Sequence, residues 1–109
     1  MQIYTVYVTC PTHEVARNLA RTVVRERLAA CANITGEITS IYEWHAELEQ
    51  TSEVILLLKT SEECTAELTN RLRELHPYEC PCIVAWACCD GNKRFFEWVQ
   101  QQTGKQSGQ

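Results

Sequence analysis

The chain has 109 residues, 45% of them apolar, and a formal net charge of −4. That length fits one domain rather than two, and the acidic balance excludes binding built on basic charge meeting phosphates, so no nucleic-acid partner is expected. No run of about 18 apolar residues occurs, so no membrane partner is expected, and MQIYTVYV at the start carries no basic stretch ahead of its apolar residues. The expected location is cytoplasmic. There the seven cysteines stay reduced, which leaves them as small buried hydrophobes, metal ligands or redox groups.

Ile3 to Cys10 is rich in β-branched and aromatic residues and predicts a strand. Pro11 and Thr12 stop it, and Thr12 is placed to cap a helix with Glu14 in its first turn. From His13 to Cys31 the apolar residues Val15, Ala16, Leu19, Ala20, Val23, Leu28 and Cys31 recur at three- and four-residue steps, the helical period. Arg17, Arg21 and Arg25 form a second stripe, either a solvated face or a surface for an anion or an acidic partner.

Asn33 to Glu49 predicts a long extended segment with a bend or bulge at Gly36. Beyond it, Ile38, Ser40, Tyr42, Trp44, Ala46 and Leu48 share one face, and Ile41, Glu43, His45, Glu47 and Glu49 the other. Gln50 to Ser52 marks the expected turn, and Glu53 to Thr60 a strand buried on both faces. A capping box of Thr60 and Glu63 is expected to open a second helix with Cys64, Leu68, Leu72 and Leu75 inward, ended by Pro77. Cys82 to Cys89 predicts a fourth strand. KRFFEWVQQQ predicts a short aromatic helix, and 103–109 a frayed tail, so the single domain is 1–102.

The order is β-α-β-β-α-β. It predicts an α+β, ferredoxin-like antiparallel sheet with helices on one face plus a short C-terminal helix. The hairpin is longer than such a small sheet needs, and its overhanging edges would be satisfied by a neighbouring subunit.

Three places offer chemistry. HPYECPCI, His76 to Ile83, puts an imidazole beside Cys80 and Cys82, donors suited to copper(I) or zinc. The alternative is that both thiols pack at a stiffened strand entry. Glu43, His45, Glu47 and Glu49 at two-residue steps would either hold a divalent ion or simply face water. Cys10 ends a strand where a helix N-terminus could activate its thiol, with His76 as a base if the fold joins them. No Gly-rich phosphate loop or hydrolase motif occurs, and no catalytic residue is assigned.

TCP (Thr9–Pro11), ERLAACANI (Glu26–Ile34), SIYEW (Ser40–Trp44), EVILLLKT (Glu53–Thr60) and HPYECP (His76–Pro81) occur in this order. Together they resemble the CutA divalent-cation tolerance family, from Ile3 to about Val99. The resemblance implies a homotrimer whose long hairpins pack across subunits, and a non-enzymatic role in tolerance of copper or other divalent metal ions. It also implies sensing of the kind seen in PII-type trimers. By position it implies a metal association for His76 and for a cysteine near the end of the first strand, matched by Cys10. It implies inter-subunit clefts lined by Tyr42, Trp44, Glu53, Lys59, Tyr78 and Glu79. The chain departs from the family pattern, which commonly has an acid at Cys82 and a non-thiol at Cys80, so Cys80 and Cys82 add two soft donors to the expected metal set. A trimeric scaffold that holds a partner protein or a small anion in those clefts is the alternative expectation.

Overall fold

The computed structural model describes residues 2–104. Its elements are β1 (Ile3–Cys10), α1 (His13–Arg25), β2 (Cys31–Trp44), β3 (Glu47–Ser61), a 3-10 turn (Glu62–Cys64), α2 (Thr65–Leu75), β4 (Ile83–Ala87) and α3 (Lys93–Gln102). The strands lie in the order β2-β3-β1-β4, every neighbouring pair antiparallel. This is the expected ferredoxin-like sheet.

Alternation along the strands divides the sheet into two faces. Val6 and Val8 of β1 and Leu56 and Leu58 of β3 pack against Leu19 and Val23 of α1 and Leu68 and Leu72 of α2. Ile3, of the opposite parity to Val6 and Val8, belongs to a second cluster with Ala30 and Val99, against which Phe96 packs. Thus α1 and α2 cover one face, and α3 covers one end of the other. Val84 and Trp86 remain exposed there, with Tyr7 packed on Trp86 at a ring separation of 5.9 Å.

Thr12 caps α1 as expected, its Oγ1 accepting from the Val15 amide at 3.1 Å. The helix ends at Arg25, not at Cys31. The Leu28 amide donates to the Val23 carbonyl at 2.9 Å and the Arg27 amide to that of Val24 at 3.0 Å. This is a Schellman closure, which needs a left-handed residue between the two, and Arg27 supplies it with φ 65°. Leu28 stays buried after the helix has ended, which is why the apolar period ran on past it.

The hairpin turn lies at His45 and Ala46, not at 50–52. Trp44 pairs with Glu47, and both turn residues have positive φ, 51° and 66°. Such a two-residue loop matches the twist of paired strands. Gln50, Thr51 and Ser52 are strand residues opposite Ile41, Ser40 and Thr39. The expected bulge is present, as a register shift between Ile34 and Glu37.

Thr60 does not cap α2. It is buried in β3 and its hydroxyl donates to the Leu28 carbonyl at 2.6 Å. Thr103 is also buried, its hydroxyl hydrogen-bonded to Ser61 Oγ at 2.9 Å. The packed chain therefore continues past the expected boundary at 102; 105–109 of the expected tail lie outside the described residues.

Candidate functional site

Pro77 ends α2 and holds the preceding residue extended, as the proline ring requires; His76 has φ −74° and ψ 137°. That geometry turns the His76 ring inward, where it is 7% exposed. The Tyr78 amide donates to its Nδ1 at 3.2 Å. Nδ1 therefore carries no proton, and Nε2–H donates to the Thr9 carbonyl at 2.8 Å. Both ring nitrogens are engaged by backbone, so the imidazole ties the α2–β4 connection to the end of β1 rather than presenting a free nitrogen.

Tyr78 lies against that ring, with centroids 4.7 Å apart. Its hydroxyl donates to Glu53 Oε2 at 2.7 Å. Burial, then the hydrogen bond to Glu53 and its negative charge, push the phenol well above its usual range. Glu53 sits on β3 beside Val54. Val54 faces the core, and Glu53, one residue earlier, faces the other way at 5% exposure.

Around this pair opens a pocket of about 550 Å³, within the range of small-molecule sites. Thr9 and Glu53 belong to its floor strands, Ser40 and Tyr42 to Trp44 to the arm, and Tyr78 to Cys80 and Cys82 to the α2–β4 connection. The structure thus brings together Tyr42, Trp44, Glu53, Tyr78, Glu79, Cys80 and Cys82. Lys59 lies apart: it pairs with Thr5 and Cys31, six residues along β3 from Glu53 and about 20 Å away at strand spacing. Thr9, Ser40 and Glu43 line the pocket without having been singled out for it. Only a correct register would have found them, because polar residues on a strand carry no signal of their own.

Cys10 is fully buried on the core side of β1, paired with Val54. Burial, and then the charge of Glu53, push its thiol up to about 11 from an ordinary 9.0. The helix N-terminus does not activate it, which removes the basis for a nucleophile–base pair with His76. Cys80, Cys82 and Cys89 are exposed, and all seven thiols are free. Among the described residues no three His, Cys, Asp or Glu side chains lie close enough to hold a metal ion. The expected array of Glu43, His45, Glu47 and Glu49 is divided by the turn. Glu47 and Glu49 lie opposite Trp44 and Tyr42, whereas Glu43 lies opposite Leu48. Arg17, Arg21 and Arg25 are exposed along α1.

The pattern of the family described as "CutA1 divalent ion tolerance protein" matches residues 4–102. The "Divalent-cation tolerance protein CutA" of Thermus thermophilus is 43% identical over 99 residues, 91% of this chain and 96% of that one. "Protein CutA" of Homo sapiens is 44% identical over 97 residues, 89% of this chain but 54% of that one, so the chain spans about half the length of the human relative. Among solved structures, CutA1 of Thermus thermophilus superposes with TM-score 0.90 at 42% identity, covering 94% of this chain and 99% of that one. CutA1 of Oryza sativa superposes with TM-score 0.92 at 33% identity, covering 97% of each.

Proposed function

We propose, for a chain that belongs to the CutA1 divalent ion tolerance family, that it acts by binding and sensing metal ions as a homotrimer, without catalysis. The metal contacts in this reading are the thiols of Cys80 and Cys82. The observation that carries it is that both exposed thiols line one pocket, with Glu79 immediately before Cys80 and Pro81 between the two cysteines. Two thiolates without a third donor suit copper(I), a soft ion content with few ligands, better than zinc, which takes four. His76, whose nitrogens are both engaged, positions the connection that bears the thiols. Cys10 stands behind it as core. Tyr42, Trp44, Glu53, Tyr78 and Glu79 form the wall that the trimer completes into a cleft.

Free thiols throughout fit a reducing compartment such as the cytoplasm. No helix among the described residues is long and apolar enough to cross a membrane. Relatives are named for other places, "Protein CutA, chloroplastic" of Arabidopsis thaliana and the "Periplasmic divalent cation tolerance protein CutA" of Archaeoglobus fulgidus.

The test is an anaerobic, competitor-buffered copper(I) titration of the reduced full chain beside Cys80→Ser/Cys82→Ser. The expected result is a site that weakens at least a hundredfold in the double variant. Equal affinity in the two proteins overturns the assignment.

A further inference from the structure

The face of the sheet that α1 and α2 cover is turned away from the cleft that further copies complete. The outer surface of these helices is therefore open in the assembly as well as in one chain. Over its thirteen residues α1 (HEVARNLARTVVR) carries three arginines against one glutamate, in a chain whose net charge is −4. Arg17, Arg21 and Arg25 follow at four-residue steps and are all exposed, a row about 12 Å long at the helical rise. Like charges at that spacing work against a helix. Among the described residues none of the three has a carboxylate at ion-pair distance. Glu26, next to Arg25 in sequence, is taken up by Arg71, which donates to both of its oxygens at 2.9 Å. The row is positive, and the fold supplies it with no counter-charge.

Beside the row lies a cleft between the two helices. Val15, Leu19, Leu75 and Pro77 give it apolar walls, and Asn18 and Thr22 edge it on α1. Arg21 and Arg25 are each three residues on from Asn18 and Thr22, which makes them neighbours on the helix surface. Row and cleft thus adjoin. At about 210 Å³ the cleft is smaller than the sites that enclose a small molecule; it suits one apolar side chain.

The two features together select a partner. Guanidinium groups take carboxylates in a two-pronged geometry. Glutamates at four-residue steps on a helix repeat every 6 Å or so, the spacing of the row. Such a helix also presents an apolar residue one turn to the side, the usual way a helix anchors in a groove. A single small anion would meet part of the row only. A nucleic acid would leave the cleft empty, and its long run of charge would be repelled by an acidic chain.

We propose that the outer face of α1 docks an acidic amphipathic helix of a partner protein, its carboxylates on Arg17, Arg21 and Arg25 and an apolar side chain in the cleft against Leu19 and Leu75. The metal reading uses none of these residues.

The probe is a fluorescein-labelled, alanine-based helical peptide with three glutamates at four-residue steps and one leucine three residues from the central glutamate. Its anisotropy is followed as the reduced full chain is added. The expected result is saturable binding of one peptide per chain. A peptide with glutamine for each glutamate, and one with serine for the leucine, should each bind at least tenfold more weakly. Arg17→Gln/Arg21→Gln/Arg25→Gln should cost at least tenfold, and the same three positions changed to lysine should recover most of it. Leu75→Ser should weaken the leucine peptide and leave the serine peptide unchanged. No binding of the acidic peptide overturns the proposal, as does equal binding of the glutamine peptide. Equal binding of the serine peptide overturns it too, because the cleft then takes no part. Displacement of the peptide by an equal concentration of duplex DNA would make the row a general polyanion site and overturn the acidic-helix assignment.

Discussion

Two buried polar residues show how little of a site's chemistry depends on residue type alone. Cys10 and His76 are the kinds of side chain that invite a catalytic reading, and both lie near the pocket. Yet the imidazole has no free nitrogen, and the thiol lies in the core with its proton held by burial. The sign of that shift makes a prediction. In the unfolded chain the thiol loses its proton near pH 9.0, whereas in the fold it keeps it to about 11. Over that window the native state binds more protons, so stability falls as pH rises. Below pH 9 the contribution is fully present. Urea midpoints at pH 8 and pH 10.5 should therefore separate more for the wild type than for Cys10→Val, in which no thiol titrates; an equal pH dependence in the two proteins would contradict it. The same burial orders reactivity, because the thiolate is the nucleophile. Under limiting iodoacetamide, mass spectrometry should find Cys80, Cys82 and Cys89 alkylated first, and Cys10 and Cys64 last.

At the scale of elements, the apolar periods of α1 and α2 were legible in the sequence, because burial of one face imposes them, and β1 was legible from its β-branched and aromatic composition. Where the chain turned was less legible. A turn at 50–52 rested on composition, Gln-Thr-Ser, while the actual turn residues, His45 and Ala46, are poor candidates for positive φ. Cross-strand pairing overrode local preference. That residual conflict is testable. A non-glycine residue at φ 66° costs roughly 1 kcal/mol, so Ala46→Gly should stabilise the chain by up to about 1 kcal/mol, less what glycine adds to unfolded-state freedom. A lower urea midpoint would show that the turn is not strained. Arg27 is the opposite case. It too has positive φ, yet glycine there should not help. Its Nη2 donates to the Gln101 carbonyl at 2.8 Å and its Nε to that of Gly104 at 3.3 Å, and the Gly104 amide returns to its own carbonyl at 2.9 Å. These bonds fasten the end of α3 to the end of α1. Arg27→Gly should speed amide exchange in the last turn of α3 severalfold, and unchanged exchange would reduce Arg27 to a helix cap.

The whole molecule is extended for its size. Its Cα radius of gyration is 14.7 Å and its extents are 50 × 28 × 22 Å, against about 13 Å expected for a compact domain of this length. The difference is the β2–β3 arm, whose overhang could be read in the sequence from its length alone. What could not be read was the face it shares with the sheet, since that depends on register, and register depends on the turn. With the register in place, a largely uncovered surface becomes visible on the face that α1 and α2 leave bare. Val84, Trp86, Tyr42 and Trp44 are each more than 40% exposed. Scattered apolar residues on a surface need no partner, but aromatic and aliphatic side chains gathered on one sheet face do. A chain of 12.5 kDa also gains most from burying that face against copies of itself, because small domains bury the smallest share of their surface alone. Self-association should then be inseparable from stability, and the melting temperature should rise with protein concentration. Val84→Asp tests the link without touching the helix-side core. An aspartate at this half-exposed position costs little in a monomer, but buried unpaired in an interface it costs several kcal/mol. Light scattering should give about three chain masses for the wild type at micromolar concentration and a smaller species for the variant. A wild type of one chain mass with its full circular dichroism would remove the assembly, and with it the clefts on which the metal reading depends.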